Sequence, residues 1–420
     1  MPSWKRTFWA VWVANLITAI GMMAFLPFFA SHVEDFGLRD EHEIAAWAGV
    51  LFGAAPLSAA IVSPLWGALG DRFGRRVMVL RSMLGITIFV GAMAYARNPW
   101  ELLALRIAQG LFSGFIAPSM TLVSTLAPAD QQSRVSSALN TSMVLGGILG
   151  PVVGESLRAQ IGLRNVYLVV AALAGVAAVL VRLLAREDHS KRRTEQRATR
   201  WSTLLSETVA DLHELRANRV LRAALVLTFL IQFGLGATNP LLELFVRHVP
   251  AHLAWPQPHL WLLTWMQPNV ALLFSAMAVA TLAATPLWGA YGDRLGAYPA
   301  LLRCAGWTAL AMALHAFAPD YEVLLVARVC FGAAMSGSGP LAFGVAAAES
   351  THEQRGGAIG VVFAARTFSV AVASMVGGWA SAYLGVRGLF GVSAGIVLVY
   401  LLWLRHAGLR ETAGASSAAA

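Results

Sequence analysis

The chain has 420 residues, of which 57% are hydrophobic and only 13% charged, with a mean hydropathy of +0.63 and a formal net charge of +9. Soluble domains carry about 25% charged residues, so this composition excludes an ordinary soluble enzyme; recurring apolar runs of about twenty residues point to many bilayer-spanning helices. The positive charge sits in short loops and forms no basic stripe interleaved with aromatic residues, which argues against a nucleic-acid partner, and the two cysteines, Cys304 and Cys330, fall in apolar runs and build neither a disulfide framework nor a metal site.

In chain order, twelve spans are predicted, at about 8–30, 46–69, 77–96, 101–123, 135–158, 165–184, 221–246, 268–291, 299–318, 322–346, 357–381 and 387–405. The Lys5–Arg6 flank precedes a long apolar run with no small-residue cleavage site, so the first run reads as a retained helix. An acidic outer loop, His32 to Glu43, follows it. A second long outer loop, Val249 to Pro268, places Trp255, Trp261 and Trp265 at an interface. Of the 31 Lys and Arg residues, only Arg39, Arg97, Arg158, Arg164, Arg247 and Arg387 fall on that outer side. Arg106, Arg328 and Arg366 lie inside spans, and the remainder fall on the side of both termini, which puts those termini in the cytoplasm. The organisation expected is an all-α polytopic membrane protein: a six-helix half (1–184), a cytoplasmic linker (185–220) and a second six-helix half (221–420). The linker is basic up to Arg200. From Trp201 to Leu215 it carries Leu204, Leu205, Val209, Leu212 and Leu215 on one stripe, as an amphipathic helix does.

The stretch Ser63-Pro-Leu-Trp-Gly-Ala-Leu-Gly-Asp-Arg-Phe-Gly-Arg-Arg76 closes the second span. Gly67, Gly70 and Gly74 leave a face with almost no bulk, and Asp71 meets Arg72, Arg75 and Arg76 where the apolar run ends. Thr285-Pro-Leu-Trp-Gly-Ala-Tyr-Gly-Asp-Arg-Leu-Gly296 repeats it at an offset of 222 residues, Asp71 matching Asp293 and Arg72 matching Arg294. Arg106 and Gly110 match Arg328 and Gly332 at the same offset, and Gly162-Leu-Arg164 matches Gly385-Val-Arg387 at 223. The chain is therefore two pseudo-symmetric copies of one membrane unit, which is the sequence mark of secondary transporters.

Gly67-Ala-Leu-Gly-Asp-Arg-Phe-Gly-Arg-Arg76 resembles the cytoplasmic signature of the major facilitator superfamily. Gly146-Gly-Ile-Leu-Gly-Pro-Val-Val-Gly154 resembles the antiporter motif of its twelve-helix drug:proton antiporters, and Leu105-Arg106-Ile-Ala-Gln-Gly110 resembles the arginine motif of the same proteins. Glu155 departs from the pattern, which has another glycine there, and the second half keeps only Gly377-Gly378 of the antiporter motif. The resemblance implies that Asp71 faces a helix end of span 11 and that Arg72 pairs with Asp130, as a latch that opens and closes during transport. It also implies that Gly146, Gly150, Pro151 and Gly154 form a face closing a proton leak; close helix packing explains the same residues equally well.

A charge inside a span is costly unless it meets a cavity or a partner. Arg106 and Arg366 are therefore expected at a cavity, with Gln109, Asn140, Gln232 and Asn239 as neutral polar lining. Glu155 and Glu243 are the acids inside predicted spans, one in each half, and an apolar setting makes a carboxyl group harder to ionise and so able to exchange a proton near neutral pH. They are equal candidates for proton coupling, with Arg106 modulating either. Glu243 follows Asn239-Pro240, a potential helix break. His315, near an outer helix end, reads as interfacial.

These residues predict a proton-coupled exporter of small amphipathic compounds, a monomer in a bacterial cytoplasmic membrane whose energy source is the proton gradient, with no cofactor. A proton symporter or facilitator for a metabolite such as a sugar shares the fold but needs a more polar cavity set. An intramembrane enzyme lacks support: His352-Glu353-Gln-Arg355 misses the second histidine of a zinc motif, no Ser/His/Asp cluster occurs in the spans, and no phosphate-binding GxxxxGK[ST] is present.

Overall fold

The computed structural model describes residues 3–128, 131–187, 218–253, 267, 269–351 and 355–407, and every regular element among them is helical. The chain divides into two compact units. One is formed by residues 3–187, with 269–275 grouped to it; the other is formed by 218–253 and 276–407.

In the first unit α1 (Ser3–Phe25) passes through a 3-10 turn, Leu26–Phe28, into α2 (Phe29–Asp35). Pro27 has no N–H for the α-helical ladder, and the tighter turn carries the chain past it without ending the span. The first span therefore runs to Asp35 rather than residue 30, and His32, expected in the outer loop, lies in a helix and is buried. Asp40 then caps α3 (Glu41–Phe73), its carboxylate accepting from the His42 amide at 2.9 Å. α4 (Arg75–Met93) follows at once. Asn98 caps α5 (Pro99–Phe112), accepting from the Glu101 amide while the Glu101 carboxylate accepts from Asn98 Nδ2 and the Arg97 amide. Span 4 is interrupted at Ser113–Phe115 before α6 (Ile116–Ser124); α7 (Gln132–Ile161) and α8 (Leu163–Leu184) complete the unit. α1 packs on α7 and α8, α4 on α8, and α3 on α5.

The second unit repeats this scheme. α9 (Arg219–Thr238) is capped by Asn218 and breaks at a 3-10 turn, Asn239–Leu241, before α10 (Leu242–Arg247). α11 (Val270–Leu295) and α12 (Ala297–Ala316) are followed by α13 (Tyr321–Met335), capped by Asp320, and α14 (Ser338–Ala348). α15 (Arg355–His406) holds two spans folded about Gly385. α9 packs on α15, and α12 on α13, α14 and α15. Among the described residues ten helical stretches are long and apolar enough to cross a bilayer; one of them, Gly357–His406, is the pair about Gly385, and α12 completes the twelve spans.

The turns show why the repeat survives in sequence. Gly74 and Gly162 have φ of +103° and +76°, and their counterparts Gly296 and Gly385 have +87° and +62°. Each joins two helices with no room for a longer loop, in a left-handed conformation that glycine adopts at little cost. The linker helix expected at 201–215, the tryptophans at 255, 261 and 265, and His352–Glu353 lie outside the described residues.

Candidate functional site

The motif loop is built from α3, α4 and the end of α8. α3 ends at Phe73, and the Gly74 amide donates to the Gly70 carbonyl at 2.9 Å. The first amides of α4 then point at one carboxylate: Glu187 accepts from Arg75 N at 2.8 Å and from Arg76 N at 3.1 Å. An anion at a helix N-terminus satisfies orphan donors and meets the positive end of the dipole. A side chain at Gly74 would place its Cβ 2.7 Å from Glu187 Oε2, so the glycine leaves the space the acid fills. The Arg76 guanidinium donates to the Arg182 carbonyl, fixing the same corner. Glu187 is not among the expected latch residues: it lies in a basic segment more than a hundred residues from the amides it caps. Arg72 is exposed and lies over the Phe73 ring at 5.5 Å. Asp130 and the side chain of Asp71 lie outside the described residues. Within its own half nothing stands within 4 Å of a Cβ at Gly67, while one at Gly70 would meet Met78 at 3.2 Å. Asp293 and Arg294 in the second copy are exposed.

The two repeat arginines are buried, but their partners differ. Arg106 donates from Nε to the Leu51 carbonyl at 2.9 Å, from Nη2 to the Phe52 carbonyl at 3.4 Å and from Nη1 to Gln109 Oε1 at 2.5 Å. Gln109 in turn donates to the Met22 sulfur at 3.2 Å, and the guanidinium lies 4.9 Å from the Phe29 ring. Pro56 accounts for one of these acceptors: it has no N–H to offer the Phe52 oxygen four residues earlier, and Arg106 supplies a donor. Thus Arg106, expected at a cavity near a carboxylate, donates to backbone and to Gln109. In the second half Ala278 stands at the position equivalent to Pro56, so that carbonyl is not deprived. Arg328 instead donates to Asn239 Oδ1 at 2.7 Å, across to the break in span 7.

The glycine face of the antiporter-like motif lies along α1. A Cβ at Gly146 would stand 3.1 Å from the Ala19 Cα, one at Gly150 2.8 Å from the Ile20 carbonyl oxygen and one at Gly154 2.7 Å from the Ala24 Cα. The second half uses the same device with different residues: a Cβ at Gly236 would stand 2.6 Å from the Val370 oxygen, and one at Gly377 would collide with the Ala237 backbone. Pro151 lies inside α7 without ending it.

Both candidate acids have an arginine on the next turn. Arg158 grips Glu155 with two bonds, Nε to Oε2 at 3.1 Å and Nη2 to Oε1 at 3.2 Å, while lying 4.8 Å from the Phe28 ring. Arg247 Nη2 stands 3.4 Å from Glu243 Oε1. The Glu243 side chain is 6% exposed against 12% for Glu155. Two separate polar pairs therefore flank the 3-10 turn of span 7, Arg328 with Asn239 at its start and Arg247 with Glu243 just beyond it.

Among the expected cavity residues, Gln109 and Asn239 are acceptors for the repeat arginines, Gln232 is buried and Asn140 is exposed. Arg366 is half-buried and donates to Ser338 Oγ at 3.2 Å, at the start of α14. His315 is not interfacial: it is fully buried, stacked on Phe390 at 4.5 Å, with Nδ1 donating to the Ala311 carbonyl at 2.7 Å. His32, in the first span, is also buried although it is no repeat counterpart of His315, with Nδ1 2.8 Å from the Tyr167 hydroxyl. Asn15 and Ser119 form a further buried pair at 3.1 Å. Arg81 and Arg303, at the same 222 offset, lie inside α4 and α12 rather than in loops.

Comparison with known proteins agrees with this architecture. The chain is 26% identical over 405 residues to the multidrug resistance protein MdtG of Proteus mirabilis, covering 96% of this chain and 95% of that one. It is 29% identical over 401 residues to MdtG of Salmonella arizonae, covering 94% of each. The crystal structure of the nucleoside transporter NupG superposes with a TM-score of 0.74 at 13% identity, covering 95% of this chain and 98% of that one, which bears on the fold alone. The sequence profile described as Major Facilitator Superfamily matches residues 11–266 and 224–419. With its twelve spans, internal repeat and paired arginine sites, the chain belongs to the Major Facilitator Superfamily of membrane transporters.

Proposed function

We propose that this transporter is a proton-coupled exporter of small amphipathic, drug-like compounds working by alternating access. In this reading it acts as a monomer in the bacterial cytoplasmic membrane with both termini cytoplasmic, and the proton gradient is its energy source, with no cofactor. Its likeness over most of the chain to proteins named for multidrug resistance supports the substrate class. The observation that carries the coupling is Glu243: a carboxylate 6% exposed, just beyond the 3-10 break in span 7, beside Arg247 and one turn from the Arg328–Asn239 bond. A buried acid at a helix break can exchange its partner as the break moves, and so load and release a proton. Glu155, held by two bonds to Arg158, is the second candidate. The Gly67–Arg76 loop acts as the switch, with Glu187 holding its α4 side.

The test is dye accumulation in inverted vesicles under an imposed pH gradient, acid inside. Glu243→Gln is expected to abolish gradient-driven transport while dye binding to the purified protein persists. If Glu155→Gln, Glu243→Gln and the double variant all still concentrate dye, the coupling group lies elsewhere. Gradient-driven movement in the opposite sense assigns the chain to proton symport.

A further inference from the structure

The two halves, aligned by their 222-residue offset, differ at the junction of spans 2, 3 and 4. In the first half Phe112 fills it. Its Cβ lies 2.7 Å from where a Cβ on Gly85 would stand, and its ring is 5.3 Å from Phe89 and 6.1 Å from Trp66. The equivalents of Phe89 and Phe112 in the second half are Ala311 and Ala334, and that of Gly85 is Trp307. Two phenylalanine rings are lost and the added Trp307 indole is largely exposed, and a groove of about 1020 Å³ lies between α11, α12 and α13, with Ala311 and Ala334 in its lining. Its rims, Leu287, Trp307 and Leu310, are 70%, 61% and 58% exposed. Apolar side chains this exposed on a spanning helix face hydrocarbon.

The arginines at one end of the two junctions differ in parallel. Arg81 is engaged within its own half: its guanidinium stacks 3.5 Å above Trp66 and donates to Ser82 Oγ and the Ser113 carbonyl. Its equivalent, Arg303, is exposed at the end of the groove, lies over Tyr291 at 5.4 Å and donates to the Tyr291 hydroxyl. Arg303 also lines a second cavity, of about 250 Å³, on the opposite flank of α12, together with Gly306, Leu401 and Arg405. No ion pair engages Arg303 or Arg405 among the described residues.

We propose that an anionic phospholipid binds astride α12, with one acyl chain in the larger groove, the other in the smaller cavity, and its phosphate on Arg303 and Arg405. Two apolar slots that meet at the Arg303 guanidinium, with Arg405 beside it on the smaller one, match a molecule with two chains and one anionic head. From Arg303 to Phe317, which lines the far end of the groove, is fourteen residues of helix, roughly 21 Å at about 1.5 Å each. One leaflet's hydrocarbon is about 15 Å deep, so the groove accommodates a full acyl chain. Guanidinium groups bind phosphate through paired hydrogen bonds, and the leaflet that meets the basic loops is the one rich in anionic lipid in the topology read above.

The experiment uses the purified, delipidated full chain, titrated with phosphatidylglycerol or phosphatidylcholine and read by native mass spectrometry and by melting temperature. Phosphatidylglycerol is expected to bind and to raise the melting point in proportion to the logarithm of its concentration, and phosphatidylcholine to bind about tenfold more weakly. Arg303→Gln combined with Arg405→Gln removes that preference, whereas the corresponding lysine variants keep most of it. Ala311→Phe with Ala334→Phe refills the groove as in the first half and blocks binding of either lipid. The proposal is overturned if the charge variants keep wild-type affinity for phosphatidylglycerol, or if phosphatidylcholine binds equally well. It is also overturned if the refilled protein, eluting as a single folded species, binds as before, or if a cationic dye displaces the lipid from the wild type at equimolar concentration.

Discussion

Replacing Arg106 by methionine tests whether the guanidinium supports the segment of α3 that precedes Pro56. The substitution keeps an unbranched apolar stem but removes donors from the Leu51 and Phe52 carbonyls and from Gln109, all buried. Hydrogen bonds to a charged group contribute about 1.5–3 kcal/mol each, and the burial cost of the charge, relieved by methionine, offsets part of that loss. A net destabilisation of about 3 kcal/mol is expected. For a cooperative unit the size of one half that corresponds to a fall of roughly 6–12 °C in melting temperature. Pro56 provides the internal control. Alanine there restores an N–H four residues after Phe52, so in the Arg106→Met background Pro56→Ala should recover about 1 kcal/mol, or roughly 2–4 °C. The same change in the wild type should recover nothing through this bond, because Arg106 already serves the carbonyl. The four proteins form a double-mutant cycle, measured by tryptophan-fluorescence melts in detergent at one scan rate. A fall of less than 2 °C for Arg106→Met, or a double variant no more stable than that single one, would refute the reasoning.

Three further outcomes are expected. Gly154→Val should drive side-chain carbon into the α1 backbone at Ala24 and cost about 1–3 kcal/mol or more, seen as a lower yield of monodisperse protein; Leu149→Val, at an exposed position on the same helix, should change little. Glu187→Ala should leave the Arg75 and Arg76 amides without their acceptor, cost about 1 kcal/mol and speed proteolysis of the loop beside Gly74, while Glu187→Gln retains part of the effect; cleavage unchanged in Glu187→Ala would count against the cap. Reporter fusions at residue 195 and at the C-terminus should both read cytoplasmic, and an external signal from either would invert the topology.

The spans and their pairing into two halves were legible in the sequence because each rests on a local or repeated property. Hydrophobic length marks a span, and an exact 222-residue echo marks a second copy; that Gly74 and Gly296 are left-handed corners rather than part of a low-bulk helix face came from the structure. The acid–arginine spacings, Glu155 to Arg158 and Glu243 to Arg247, were also present in the chain, but spacing alone does not say which of two neighbouring charges finds its partner locally. Tertiary structure decided the rest. Arg106 and Arg328 are equivalents in the repeat, yet one serves the Leu51 and Phe52 carbonyls beside Pro56 and the other an asparagine at a break, because the neighbouring spans differ: Ala278 stands in place of Pro56, and Asn239 opens the 3-10 turn of span 7 where Leu26 opens that of span 1. Glu187 lies more than a hundred residues beyond the amides it caps, and His32 and His315 are buried by rings contributed from distant spans. Whether a junction closes like that of Phe112 or opens like that of Ala334 depends on volumes added by three helices at once, a sum that no single segment of the sequence contains.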